Sequence, residues 1–85
     1  MSPSPALDAQ IRAILVRHAR LNVDATGIDA DADLYQAGMT SQASVNVMLA
    51  LEGEFDVEFP DELLKRSVFA SVRSIREAVA GIAQV

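Results

Sequence analysis

Apolar residues recur in this chain at intervals of three and four in separate stretches, and each stretch predicts a helix. Leu7, Ile11, Ile14 and Leu15, continued by His18 or Ala19, give a first helix over about residues 6–20. Asp8 near its start and Arg17 and Arg20 near its end suit the helix macrodipole. Val45, Met48, Leu49, Leu51 or Glu52, and Phe55 predict a second helix over residues 41–55. Gly53 weakens its last turn by ~1 kcal/mol relative to alanine. Pro60 followed by Asp61 and Glu62 marks a short third helix, with proline tolerated in the first turn. Ser71 is placed to cap a last helix whose stripe is Val72, Ile75, Val79 and Ile82. Residues 55–59 are too few and too acidic for a strand. The expected fold is all-α, a four-helix bundle with a short third helix and a long first loop. That loop, residues 21–40, has no sustained period, and such a stretch inside a compact domain is usually functional. Leu21, Val23, Ile28, Leu34 and Tyr35 are the side chains available to pin it to the core.

Composition narrows the picture. Eighty-five residues make one domain, read as residues 6–85 after a disordered lead-in over residues 1–5. A chain this short buries only ~60–65% of its unfolded surface, so its stability should be modest. Only 5% of residues are aromatic, so aliphatic side chains must fill the core. No cysteine is present, which removes disulfides, cysteine zinc sites and a cysteine nucleophile. The longest uncharged run, residues 34–51, contains Gln, Asn, Ser, Thr and Gly, so it does not read as a membrane span. The first five residues lack the basic and apolar regions of a signal peptide, and a cytoplasmic monomer is expected.

The net charge is −5, and ten of the twelve acids lie between Asp24 and Glu62 with no base among them. An acidic middle disfavours nucleic acid, which needs clustered Lys and Arg. It suits basic protein partners, or it is a solvated face and no more.

The most informative segment is Asp33-Leu34-Tyr35-Gln36-Ala37-Gly38-Met39-Thr40-Ser41. An apolar anchor pair is followed by a turn glycine and then by a serine at the start of a helix. Gly38 suits a backbone conformation that other residues resist. A hydroxyl at a helix N-terminus faces backbone N–H groups and the positive end of the dipole, which favour an anion such as a phosphate ester. Ser41 could instead be a bare N-cap, although Thr40 can fill that role equally well and leave Ser41 pointing outward.

Asp-Leu-(Phe/Tyr)-x-x-Gly-x-x-Ser before an amphipathic helix resembles the attachment region of acyl and peptidyl carrier proteins. The stretch Leu51-Glu52-Gly53-Glu54-Phe55-Asp56-Val57-Glu58-Phe59-Pro60-Asp61-Glu62 is similar to a second block of that family, in the expected order. The resemblance covers residues 33–62 closely. It implies that Ser41 accepts 4′-phosphopantetheine from coenzyme A, and that the arm's thiol carries cargo as a thioester. Asp33, Leu34, Gly38 and Thr40 would support the attachment turn. A tethered arm gives each partner enzyme a high effective concentration of substrate.

Departures from the family pattern point to a particular branch. Thr40 precedes the serine where aspartate or histidine is usual, and Gln42 follows it in place of leucine. Ala43 and Asn46 stand where fatty-acid-type carriers have carboxylates, so the second helix offers partners a mostly neutral face. Residues 38–49, with Leu64-Lys65-Arg66-Ser67-Val68-Phe69-Ala70-Ser71, resemble stand-alone bacterial carriers loaded by ligases related to truncated seryl-tRNA synthetases. The partners so implied are a phosphopantetheinyl transferase, an amino acid:carrier protein ligase and a downstream acyl or aminoacyl acceptor. Met39, Gln42, Asn46, Glu52 and Glu62 are the residues expected to dock them. Two other functions stay open: a carrier for fatty-acid or polyketide synthesis, and an unmodified acidic helical adapter.

Asp29-x-Asp31-x-Asp33 fails as a calcium loop, because its sixth and twelfth positions are Leu34 and Thr40 instead of glycine and glutamate. His18 is the sole histidine and has no second metal ligand near it in sequence. No base or metal is spaced to activate Ser41, so the chain is read as a substrate carrier for other enzymes and not as an enzyme.

Overall fold

Three α-helices, α1 (Pro5–His18), α2 (Ser41–Phe55) and α3 (Val72–Ala83), surround one core. A long loop joins α1 to α2, and two 3₁₀ turns, Asp61–Leu63 and Arg66–Phe69, lead from α2 to α3. This computed structural model describes residues 5–83; of the expected lead-in, only Pro5 lies inside that range, as the first residue of α1. No strand occurs among the described residues. No helix among them is long and apolar enough to cross a membrane.

The stripe read for the first helix is the one that packs: Ile11, Ile14, Leu15 and Ala19 are buried. The helix stops at His18, two residues short of expectation, and Arg20 adopts a left-handed conformation with φ 55°. The stripe of α3 also packs as read, with Val72, Ile75 and Val79 buried and Ile82 partly so. Ser71 does cap that helix. Its hydroxyl accepts the Ser74 N–H and the Ser74 hydroxyl accepts the Ser71 N–H, each at 3.1 Å, a reciprocal box built from two serines.

Two expectations need correction. The third helix is a pair of 3₁₀ turns, closed by Leu63 N–H to Pro60 C=O (2.9 Å), Leu64 N–H to Asp61 C=O (3.0 Å) and Val68 N–H to Lys65 C=O (3.1 Å). Across both turns only Phe69 is buried, where it meets Phe59 with ring centroids 5.4 Å apart. With so little apolar surface to bury, a longer α-helix has nothing to hold it. The buried face of α2 also differs from the one read. Ala43, Val47 and Leu51 point inward, whereas Val45 and Leu49 are 50% and 55% exposed. Apolar residues stand on both sides of α2, so spacing alone does not choose its inner face.

The long loop is fastened at defined points. Arg12 donates from Nη1 to the carbonyls of Ala25 (3.0 Å) and Ile28 (2.5 Å). Arg73 N–H donates to Ala30 C=O at 2.9 Å, and Leu34 N–H to Ala70 C=O at 2.7 Å. Leu34 and Ala25 are buried and Leu21 and Ile28 pack against the core, but Val23, expected as an anchor, is largely exposed.

Asp8 links the ends of the domain. Its carboxylate accepts from Arg12 Nε at 2.7 Å and from Arg76 Nη1 at 3.0 Å, joining α1 to α3 while Arg12 holds the loop. The Arg12 hydrogen bond, helped by Arg76 and opposed by partial burial, keeps the Asp8 carboxyl below its ordinary range. A depressed folded-state value means the unfolded chain binds more protons in that window. The stabilisation is therefore full above the unfolded carboxylate value and is lost as pH falls through the folded one. Asp8→Asn should cost about 1–2 kcal/mol at neutral pH. Urea unfolding should show the gap to wild type narrowing below about pH 4.

Candidate functional site

The segment before α2 is a single helical turn with both ends finished. Asp33 Oδ1 accepts the N–H groups of Tyr35 (2.9 Å) and Gln36 (3.3 Å), which caps the start. At the other end Gly38 N–H donates to Tyr35 C=O (3.1 Å) and Met39 N–H to Leu34 C=O (3.0 Å). Those are the two bonds of a Schellman closure, with Gly38 in the position that favours glycine. Its φ is +117°, and an added Cβ would lie 2.9 Å from Asn22 Nδ2. Asn22 is held there by its own N–H on Ala37 C=O at 2.7 Å. Leu34 anchors the turn with a fully buried side chain, and Tyr35 packs half-buried beside it.

Directly after this turn Thr40 is the N-cap of α2, with φ −84° and ψ 167°. Its Oγ1 accepts the Ala43 N–H at 3.0 Å. Ser41 is thereby released from capping. Its backbone carbonyl accepts the Ser44 hydroxyl at 2.6 Å, while its own hydroxyl is exposed and has no partner among the described residues. The first turn of α2 contains no acid, so no carboxylate competes for the positive end of the dipole.

Ser41 opens onto a groove of about 370 Å³ lined by Tyr35, Ser44, Val45, Met48, Leu64, Phe69 and the two bases Lys65 and Arg66. The Arg66 guanidinium lies 3.7 Å from the centre of the Tyr35 ring. An exposed hydroxyl, an acid-free helix start and two cations in one groove together fit a phosphate ester on Ser41 with an apolar-flanked chain beyond it.

Not all of the residues expected to dock partners are exposed. Met39 is 3% exposed and belongs to the core, so it is withdrawn from a docking role. Glu52 is half-buried, and its Oε2 accepts the Phe59 N–H at 2.9 Å, which ties down the chain after α2. Gln42 and Asn46 are exposed on α2, and Glu62 is exposed on the first 3₁₀ turn. Exposed apolar side chains, Val45 and Leu49 on α2 and Leu64 beyond it, were not anticipated near the site. The signal available was an α2 too apolar to be buried on one face only. The acids of the loop have local work: Asp24 caps Thr26, Asp29 accepts the Asp31 N–H, and Asp31 pairs with Arg73 at 2.6 Å.

The start of α2 thus presents an exposed, unbonded serine beside a basic, apolar-walled groove. The family model described as the phosphopantetheine attachment site matches residues 9–82, and this chain belongs to that family, whose prosthetic group is 4′-phosphopantetheine. The chain is 47% identical over 73 residues to an aminoacyl carrier protein of Agrobacterium fabrum (strain C58 / ATCC 33970), covering 86% of this chain and 88% of that protein. Among solved structures, it resembles the carrier protein from Agrobacterium tumefaciens complexed with an engineered Bradyrhizobium japonicum glycine:[carrier protein] ligase and ATP. There the TM-score is 0.86 at 46% identity, over 89% of this chain and 99% of that one. A solution structure of an Agrobacterium tumefaciens protein gives a TM-score of 0.71 at 45% identity, over 91% of this chain and 93% of the other.

Gly38→Ala should destabilise the domain by about 2 kcal/mol or more, since it meets both the positive φ and Asn22. Thr40→Ala should cost about 1 kcal/mol. Chemical denaturation measures both.

Proposed function

We propose that the domain of residues 6–85 is an aminoacyl carrier whose attachment point is Ser41. The observation that carries this reading is the division of labour at the start of α2: Thr40 caps the helix, and the Ser41 hydroxyl is left exposed and unbonded. On modification the Ser41 Oγ–phosphorus bond forms while the bond from that phosphorus to the nucleotide half of coenzyme A breaks. None of the residues lining the groove is a histidine or carboxylate, so the base that takes the Ser41 proton comes from the transferase. The arm supplies a thiol for the cargo. What this chain supplies is position: the Gly38 turn and the Thr40 cap hold the tether at one fixed point on the surface.

The identity to an aminoacyl carrier protein, and the likeness to a carrier complexed with a glycine:[carrier protein] ligase, support a small aminoacyl group as cargo. They also support an amino acid:carrier protein ligase as loading partner. A phosphopantetheinyl transferase acts before it and an aminoacyl acceptor enzyme after it. The chain itself catalyses none of these steps, and its place of work is the cytoplasm. Gln42, Asn46 and Glu62, with the apolar Val45, Leu49 and Leu64, provide the docking face.

Incubation with coenzyme A and a broad-specificity transferase should add one phosphopantetheine by intact mass, and Ser41→Ala should abolish that gain without changing the melting curve. The modified protein should then accept glycine or alanine from an amino acid:carrier protein ligase. Loading by long acyl chains only would redirect the assignment to fatty-acid or polyketide synthesis. No mass gain would leave an unmodified adapter.

A further inference from the structure

We propose that Lys65 and Arg66 form a cationic clasp for the phosphodiester on Ser41, keeping the arm at the groove instead of leaving it to swing free. The inference rests on Ser41 being the attachment point. From Asp24 to Leu64 the chain has no base, and Lys65 and Arg66 are the first it reaches. The two 3₁₀ turns bring these bases back beside the start of α2, into the groove that Ser41 also lines.

Arg66 is prepared for this task in a way that the arginines engaged in ion pairs are not. Arg12, Arg73 and Arg76 have their donors committed to Asp8, Asp31 and loop carbonyls. Arg66 makes no hydrogen bond or ion pair among the described residues; its contact is the stack on Tyr35, 3.7 Å from the ring centre. Stacking uses the face of the guanidinium and leaves the N–H groups along its edge free, in the planar fork that matches a phosphate. The ring also limits the side chain's freedom before any anion arrives, so less entropy is lost when one is bound. Lys65 adds a second, less directional charge on the same side. No acid in the first turn of α2 opposes them.

The test compares the full chain before and after modification by transferase and coenzyme A, with no ligase present. Intact mass first establishes that Ser41 is modified. In ¹⁵N-labelled protein the Arg66 Nε–H resonance should then move, and its exchange with water should slow by roughly tenfold or more, as expected for a charge-assisted hydrogen bond. Tyr35 is the chain's sole tyrosine, so its ring resonances report the same event. In the modified double variant Lys65→Ala/Arg66→Ala the phosphorus resonance should shift toward that of free phosphopantetheine, and the arm's proton signals should sharpen. Arg66→Lys should fall between the two. Full modification with an unchanged Arg66 Nε–H, and the same phosphorus resonance in wild type and double variant, would overturn the clasp while leaving the attachment reading intact. Absence of any mass gain would overturn both. Should the variants misfold, the wild-type Arg66 measurement still decides.

Discussion

The site depends on what happens at Leu34. Its side chain is fully buried, its N–H reaches Ala70 C=O at 2.7 Å, and its own carbonyl accepts the Met39 N–H that closes the turn before α2. One residue thus joins the long loop, the approach to α3 and the turn that delivers Ser41. Burying a leucine gives about 2 kcal/mol, and each satisfied backbone bond avoids leaving a buried polar group unpaired. If Leu34 moved, Gly38 and Thr40 would still favour their local geometry, but the helix start would no longer be fixed relative to the groove. The Met39 side chain, tucked into the core one residue before the cap, secures the same junction from the other side.

Charge is distributed to serve this arrangement. The half-buried group of Asp8, Arg12 and Arg76 lies among α1, α3 and the loop, where it fixes the tertiary structure. Most of the remaining acids are exposed and keep the surface anionic, but they stay out of the first turn of α2. Lys65 and Arg66 line the groove onto which Ser41 opens. A long anionic stretch beside a small cationic groove lets a basic partner approach the domain while the start of α2 keeps a local cation environment.

The face that α2 shows to solvent is part neutral polar and part apolar. Gln42 and Asn46 stand beside Val45 and Leu49, and Leu64 continues the apolar strip across the groove. Such a face offers apolar surface and neutral polar groups more than charge. Glu52, the first acid of α2, turns back to hold the Phe59 N–H and so serves the fold before any encounter.

Much of this was decided within a few residues of sequence. The glycine, the threonine and the serine at positions 38, 40 and 41 specify a left-handed turn, a cap and a free hydroxyl, because each rests on backbone torsions and on bonds spanning at most five residues. Ser71 capped α3 for the same reason, and the stripes of α1 and α3 packed as their spacing predicts. Other features required the folded chain. The inner face of α2 was ambiguous because apolar residues surround it, and Ala43, Val47 and Leu51 were chosen by what α1 and α3 present. The 3₁₀ turns replaced a helix because only Phe69 found a buried place there. The meeting of Lys65 and Arg66 with Ser41 joins positions more than twenty residues apart, a distance that no local pattern spans and that only chain closure around the core can bridge.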